Sequence, residues 1–124
     1  MNLKTTRAIL VLEDEAIIAM DIALTLEDAG FGQIVVCGTS DDAHACIDAG
    51  APRLAIVDLN LQKGQTSLSV TARLADLGIP FIVLSGESEV ERHASGMPSV
   101  VPRIAKPFKG ADLIAMVGRI LDGA

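Results

Sequence analysis

Glu13 and Asp14 follow the apolar run Ile9-Leu10-Val11-Leu12, Asp58 follows Leu54-Ala55-Ile56-Val57, and Lys106-Pro107 comes near the end of the chain. Carboxylates are hard oxygen donors, and a lysine ammonium is a compact positive charge. Three of the first with one of the second would suit a divalent cation and a phosphoryl group. That chemistry requires groups distant in the chain to meet in space, so the question becomes which elements carry them.

Apolar, strand-like runs recur at Ala8–Leu12, Ile34–Cys37, Leu54–Val57, Phe81–Leu84 and Val100–Ile104, separated by segments of helical spacing. Continuous rather than alternating apolar runs, joined through helices, are the pattern of a parallel sheet buried on both faces. The fold expected is α/β: a flavodoxin-like, doubly wound, five-stranded parallel sheet of order 2-1-3-4-5 with helices on both faces. Glu13-Asp14, Asp58, Ser85 and Lys106 would then leave the carboxyl ends of strands one, three, four and five. Right-handed crossovers make strands one and three neighbours at the switch point, where ligands bind in such sheets.

Helices are expected over about Glu15–Ala29, Ser40–Gly50, Thr66–Leu77 and Ala111–Leu121. The first is apolar nearly all round, with Asp21, Thr25 and Asp28 marking a wet stripe. Ser40 is the expected N-cap of the second, with Asp41 and Asp42 in its first turn. Val70, Leu74 and Leu77 should face the core from the third helix, and Leu113, Val117, Ile120 and Leu121 from the last. Pro102 donates no ladder hydrogen bond, so the fifth strand is expected at an edge. Gly86–Ser99 has few apolar anchors, and its helix should be short or marginal.

The 124 residues fit one domain, 1–124, without a separate output domain, and no apolar run approaches the roughly 18 residues of a membrane span. The short apolar stretch after Arg7 runs into Glu13-Asp14-Glu15, unlike a signal peptide, and the expected location is cytoplasmic. A net charge of −6 argues against nonspecific nucleic-acid binding and favours a cation or a protein partner. Cys37 and Cys46 lack the spacing of a metal pair and are read as reduced, structural thiols. His44 and His93 are read as solvated surface residues, and Met20, Met97 and Met116 as core or contact residues.

Four segments together carry a family resemblance: Ile9-Leu10-Val11-Leu12-Glu13-Asp14-Glu15, Ile56-Val57-Asp58-Leu59-Asn60-Leu61, Pro80-Phe81-Ile82-Val83-Leu84-Ser85-Gly86 and Ile104-Ala105-Lys106-Pro107-Phe108. In this order the pattern resembles the receiver domain of two-component response regulators over essentially the whole chain. The Ser85-Gly86 step is similar to a single-domain alphaproteobacterial subgroup named for its Phe-Ala-Thr-Gly motif, of which only the hydroxyl–glycine step is shared.

The resemblance implies that Asp58 accepts phosphate from a histidine kinase or phosphotransfer protein. It implies Mg²⁺ bound by Asp14, by Glu13, by Asp58 and by the backbone carbonyl of Asn60. Ser85 and Lys106 would bind phosphoryl oxygens, and Pro107 would set the reach of the lysine. Asn60 and Glu87 would govern hydrolytic water. Arg103 stands three residues before the lysine, where the family usually has an aromatic ring, so the familiar ring switch is in question. The function expected is a signalling phosphoacceptor rather than an enzyme, with self-catalysed phosphotransfer and slow autodephosphorylation. It would work through an unidentified downstream protein.

A Mg²⁺-dependent phosphohydrolase is the alternative, but such enzymes commonly carry a second acid two residues after the nucleophile, where this chain has Asn60. A flavodoxin-like nucleotide or flavin binder would need a phosphate cradle after strand one, whereas Glu13-Asp14-Glu15 would repel it. A phosphorylation-independent pseudo-receiver would usually have lost one of the acidic or lysine positions, and here all are present.

Overall fold

The computed structural model describes residues 8–59, 67–86 and 102–122. Its strands are β1 (Ile9–Leu12), β2 (Ile34–Cys37), β3 (Leu54–Asp58), β4 (Phe81–Gly86) and β5 (Arg103–Lys106). Its helices among the described residues are α1 (Ala16–Asp28), α2 (Ser40–Ala49), α3 (Leu68–Leu77) and α4 (Gly110–Asp122). The five strands are parallel, as the alternation of apolar runs and helical segments predicts, and run in the expected order β2-β1-β3-β4-β5.

β1 and β3 are apolar on both sides because each feeds two cores. Leu10, Leu12, Ala55 and Val57 pack with Ala43 and Ile47 of α2 and Val70 and Leu74 of α3. Ile9, Val11, Leu54 and Ile56 point the other way, toward Ile22 and Leu26 of α1 and Leu113 and Val117 of α4. A one-residue slip would exchange these two sets, so the register is strongly specified. Leu12 lies opposite both Cys37 and Val57, and this alignment sets the level of the strand ends.

Local chemistry explains the helix boundaries, including where they depart from expectation. The N-cap of α2 is Thr39, not Ser40: Thr39 is extended (φ −136°, ψ 160°) and its hydroxyl accepts the Asp42 N–H at 3.0 Å, while Ser40 is already helical. Gly78 ends α3 at φ 73°, a conformation costly for a residue with a Cβ, and the following Ile79 N–H returns to the Leu74 carbonyl. In α3, Val70 and Leu74 are buried as expected, but Leu77 is exposed at the last turn and Thr71 takes an inner place.

The fifth apolar run is only partly described. Its described residues start at Pro102, whose carbonyl accepts the Val83 N–H at 2.9 Å, and the ladder then runs through Arg103 to Lys106. The edge position expected from Pro102 is observed. Val100, Val101, Thr66 and the segment expected to form a weak helix after Gly86 lie outside the described residues.

His44 is half-buried rather than simply solvated. Its Nε2 meets Ser69 Oγ at 3.2 Å, its Nδ1 meets Arg73 Nη1 at 3.2 Å, and Arg73 also pairs with Asp48. This network ties α2 to α3. His93 and Met97 lie outside the described residues; Met116 is half-buried against the core, while Met20 is 62% exposed. No helix among the described residues is long and apolar enough to cross a membrane.

Candidate functional site

The backbone N–H of Glu13 donates to the Cys37 carbonyl at 3.0 Å, carrying the β1–β2 ladder one step past Leu12. On the other side, Leu12 pairs with Val57, so the residues that follow, Glu13 and Asp58, emerge at the same level. Asp58 is itself the last residue of β3, aligned with Leu84 of β4, and the next amide, Leu59 N–H, donates to the Leu84 carbonyl at 3.0 Å. Sheet register therefore converts two separate acidic segments into one cluster.

One carboxylate oxygen from each of Glu13, Asp14 and Asp58 lies within 4.8 Å of the others. Glu13 is 2% exposed and Asp58 1%, whereas Asp14 is half-buried at the rim. Negative charges confined this closely repel, and low solvent access weakens the screening that would relieve them. The donor set is oxygen-only, and its spacing lets the three groups converge on one hard cation, whose oxygen ligands sit about 2.0–2.6 Å from the metal.

Beyond this cluster, β4 and β5 continue along the same edge. Ser85 pairs with Ala105 and Gly86 with Lys106, placing the hydroxyl residue one step beyond the position opposite Asp58 and the lysine at the end of the neighbouring strand. The description of Ser85 and Lys106 stops at the backbone. Asn60 and Glu87 lie outside the described residues. Arg103 pairs with Val83 on the edge strand and is half-buried, and Pro107 is exposed immediately after β5.

Sequence reasoning missed two features near this edge. Ile17, Met20 and Leu24 of α1 are 85%, 62% and 52% exposed, forming an apolar face instead of joining the core. A groove beside the acidic cluster is lined by Glu13, Asp14, Ala16, Met20, Ala23 and Val36. The signal was present in a helix with more apolar residues than one buried stripe can use. The second feature is the contact of Cys37 Sγ with Cys46 Sγ at 3.2 Å, which no sequence spacing announced. Burial first, then the neighbouring Cys46, pushes the Cys37 thiol up from 9.0 to about 12, so it stays protonated at neutral pH.

Comparison with known proteins agrees with this geometry. The family model of the response regulator receiver domain matches residues 9–118. The phyllosphere-induced regulator PhyR of Methylorubrum extorquens is 32% identical over 116 residues, covering 91% of this chain and 43% of PhyR. The transcriptional regulatory protein PdtaR of Mycobacterium tuberculosis is 29% identical over 90% of this chain and 55% of its own length. The chain thus spans about half the length of these curated relatives. Among solved structures, the receiver domain of NtrX from Brucella abortus superposes with a TM-score of 0.83 at 30% identity, covering 94% of this chain and 99% of that one. A response regulator receiver protein from Sinorhizobium medicae gives 0.79 at 30% identity, covering 93% and 94%.

Proposed function

Because the chain belongs to the response regulator receiver domain family, we propose that it accepts a phosphoryl group on Asp58 from a histidine kinase or phosphotransfer protein in a Mg²⁺-dependent reaction. The observation that carries this reading is the convergence of Glu13, Asp14 and the almost fully buried Asp58 at one sheet edge. Mg²⁺ would be held by those three carboxylates and the Asn60 backbone carbonyl. When bound, it supplies positive charge against the phosphoryl oxygens.

The protein's own residues do the rest. An Asp58 carboxylate oxygen attacks phosphorus, the bond from phosphorus to the donor's imidazole nitrogen breaks, and an acyl phosphate forms. Lys106, at the end of β5, pairs its ammonium with one phosphoryl oxygen, and Ser85 donates its hydroxyl to another. Asn60 and Glu87 orient the water that later hydrolyses the acyl phosphate, so the phosphorylated state is transient. The exposed Ile17, Met20 and Leu24 lie on the helix that starts beside Glu13 and Asp14, and they give the protein donor an apolar face to dock on. Arg103, in place of an aromatic ring, shifts the readout away from a ring rotation.

Acetyl phosphate with and without Mg²⁺, followed by intact mass, tests the assignment. One added phosphoryl group is expected, only with the divalent cation, and Asp58→Asn should abolish it. Undiminished labelling of Asp58→Asn would remove Asp58 as the acceptor.

A further inference from the structure

Cys37 closes β2 and Cys46 lies within α2, both as free thiols, with their sulfurs 3.2 Å apart. Such a contact needs only a short approach, from 3.2 Å to the bond length of about 2.0 Å, to become covalent. The two sulfurs differ in access. Cys37 is 3% exposed, whereas Cys46 is half-buried and lines an open, mainly apolar cavity of about 290 Å³ with Leu10, Val35, Ala49 and Pro52. Of the two cysteines, only Cys46 lines that cavity, and Cys37 touches its sulfur. One thiol with access and a second in contact with it give the connectivity that a disulfide needs, and the raised Cys37 thiol makes its attack the slow step.

We propose that Cys37 and Cys46 form a reversible disulfide on exposure to a peroxide, making the β2–α2 junction a redox modification site. With hydrogen peroxide, the Cys46 sulfur attacks one oxygen, the O–O bond breaks, and hydroxide leaves with the thiol proton as water, giving a sulfenic acid. The Cys37 sulfur then displaces that hydroxyl: the S–S bond forms, the S–O bond breaks, and the hydroxyl leaves with the Cys37 proton as a second water. Peroxide is reduced and the two thiols are oxidised; a thiol reductant reverses the bond.

The junction also contacts the acidic edge. The carbonyl of Cys37 is the acceptor for the Glu13 N–H. Drawing the Cys37 side chain toward α2 alters the environment of that amide, so oxidation leaves a mark on the first residue of the acidic cluster. This holds whatever ligand the cluster takes.

The test uses the full chain, reduced and then treated with hydrogen peroxide, without metal or phosphodonor, so its outcome is independent of the receiver reading. Alkylation with N-ethylmaleimide under denaturing conditions should add two groups before treatment and none after, with the protein lighter by two hydrogens and a linked peptide pair containing Cys37 and Cys46. Dithiothreitol should restore both alkylations. Cys37→Ser should stop at a Cys46 sulfenic acid trapped by dimedone, and Cys46→Ser should leave Cys37 unoxidised at the same peroxide dose. The ¹⁵N–¹H resonance of Glu13 should move on oxidation of the wild type and stay in place in Cys46→Ser. Two alkylations after treatment, oxygen addition without the linked pair, a disulfide-bonded dimer instead of the internal bond, or an unmoved Glu13 resonance would each overturn the proposal.

Discussion

Helices α1 and α4 share one face of the sheet and touch each other, with Gly110 of α4 lying against Thr25 of α1. Their apolar residues are used differently. In α4, Leu113 and Val117 are fully buried, and Ile114, Met116, Ile120 and Leu121 pack against the same core, so its apolar surface is turned inward. In α1, Ala19, Ile22 and Leu26 form the inner row, and a second row of Ile17, Met20 and Leu24 faces outward. The inner row suffices to seat the helix. The outer row exposes large apolar side chains that contribute little to folding, and such patches commonly mark a surface that meets a partner.

The sharpest way to break this comparison is to truncate matching inner residues. Ile22→Ala and Leu113→Ala should each cost about 2–5 kcal/mol, because both side chains are fully buried and leave cavities in one shared core. Urea denaturation measures it, and a cost under about 1 kcal/mol for Ile22→Ala would show that α1 is not anchored as described.

A smaller effect is expected on the outer row. Ile17→Ser and Met20→Ser should each shift stability by no more than about 0.5 kcal/mol. Together they should slow phosphoryl transfer from a histidine-phosphorylated protein donor by about tenfold, or ~1.4 kcal/mol of barrier. Labelling by acetyl phosphate, which needs no docking face, should be unchanged. Equal slowing with both donors would place the defect in the site, and no slowing with either would remove α1 as the docking face.

The smallest effect lies where the two helices meet. A Cβ at Gly110 would come 3.2 Å from Thr25 Cγ2, closer than ordinary packing, so Gly110→Ala sets a reduced freedom of the unfolded chain against a tight contact. Thr25→Ser removes the opposing methyl. A double-mutant cycle should therefore give a favourable coupling of about 0.5 kcal/mol, with Gly110→Ala more stabilising in the Thr25→Ser background. Additive values would mean that the helices stand further apart than the structure has them.

Much of the frame is legible in the chain. Residues such as Ile9 to Leu12 and Leu54 to Val57 announce buried parallel strands, because only a strand covered on both faces tolerates an unbroken apolar run. Pro102 announces the edge, since it has no N–H to give a neighbour. The boundaries are less legible where a backbone conformation decides between adjacent residues: Thr39 and Ser40 have similar hydroxyls, and only the extended backbone of Thr39 selects it as the cap. Asp58 likewise reads as the residue after a strand, whereas the ladder to Leu84 holds it as the last residue within one.

What the sequence determines by itself is the kind of fold and which residue types reach its edge. The acidic pair after β1, the aspartate of β3 and the lysine of β5 are local facts of residue type and position, and parallel topology sends their strand ends to one edge. Tertiary structure alone decides distances and exposure. The 4.8 Å gathering of Glu13, Asp14 and Asp58 follows from strand register, the outward turn of Ile17, Met20 and Leu24 from how α1 rolls onto the sheet, and the 3.2 Å approach of Cys37 to Cys46 from the packing of α2 against β2. Periodicity records that a helix has an apolar side. Which apolar residues lose water depends on the elements available to cover them, and in α1 the sheet and α4 cover only one row.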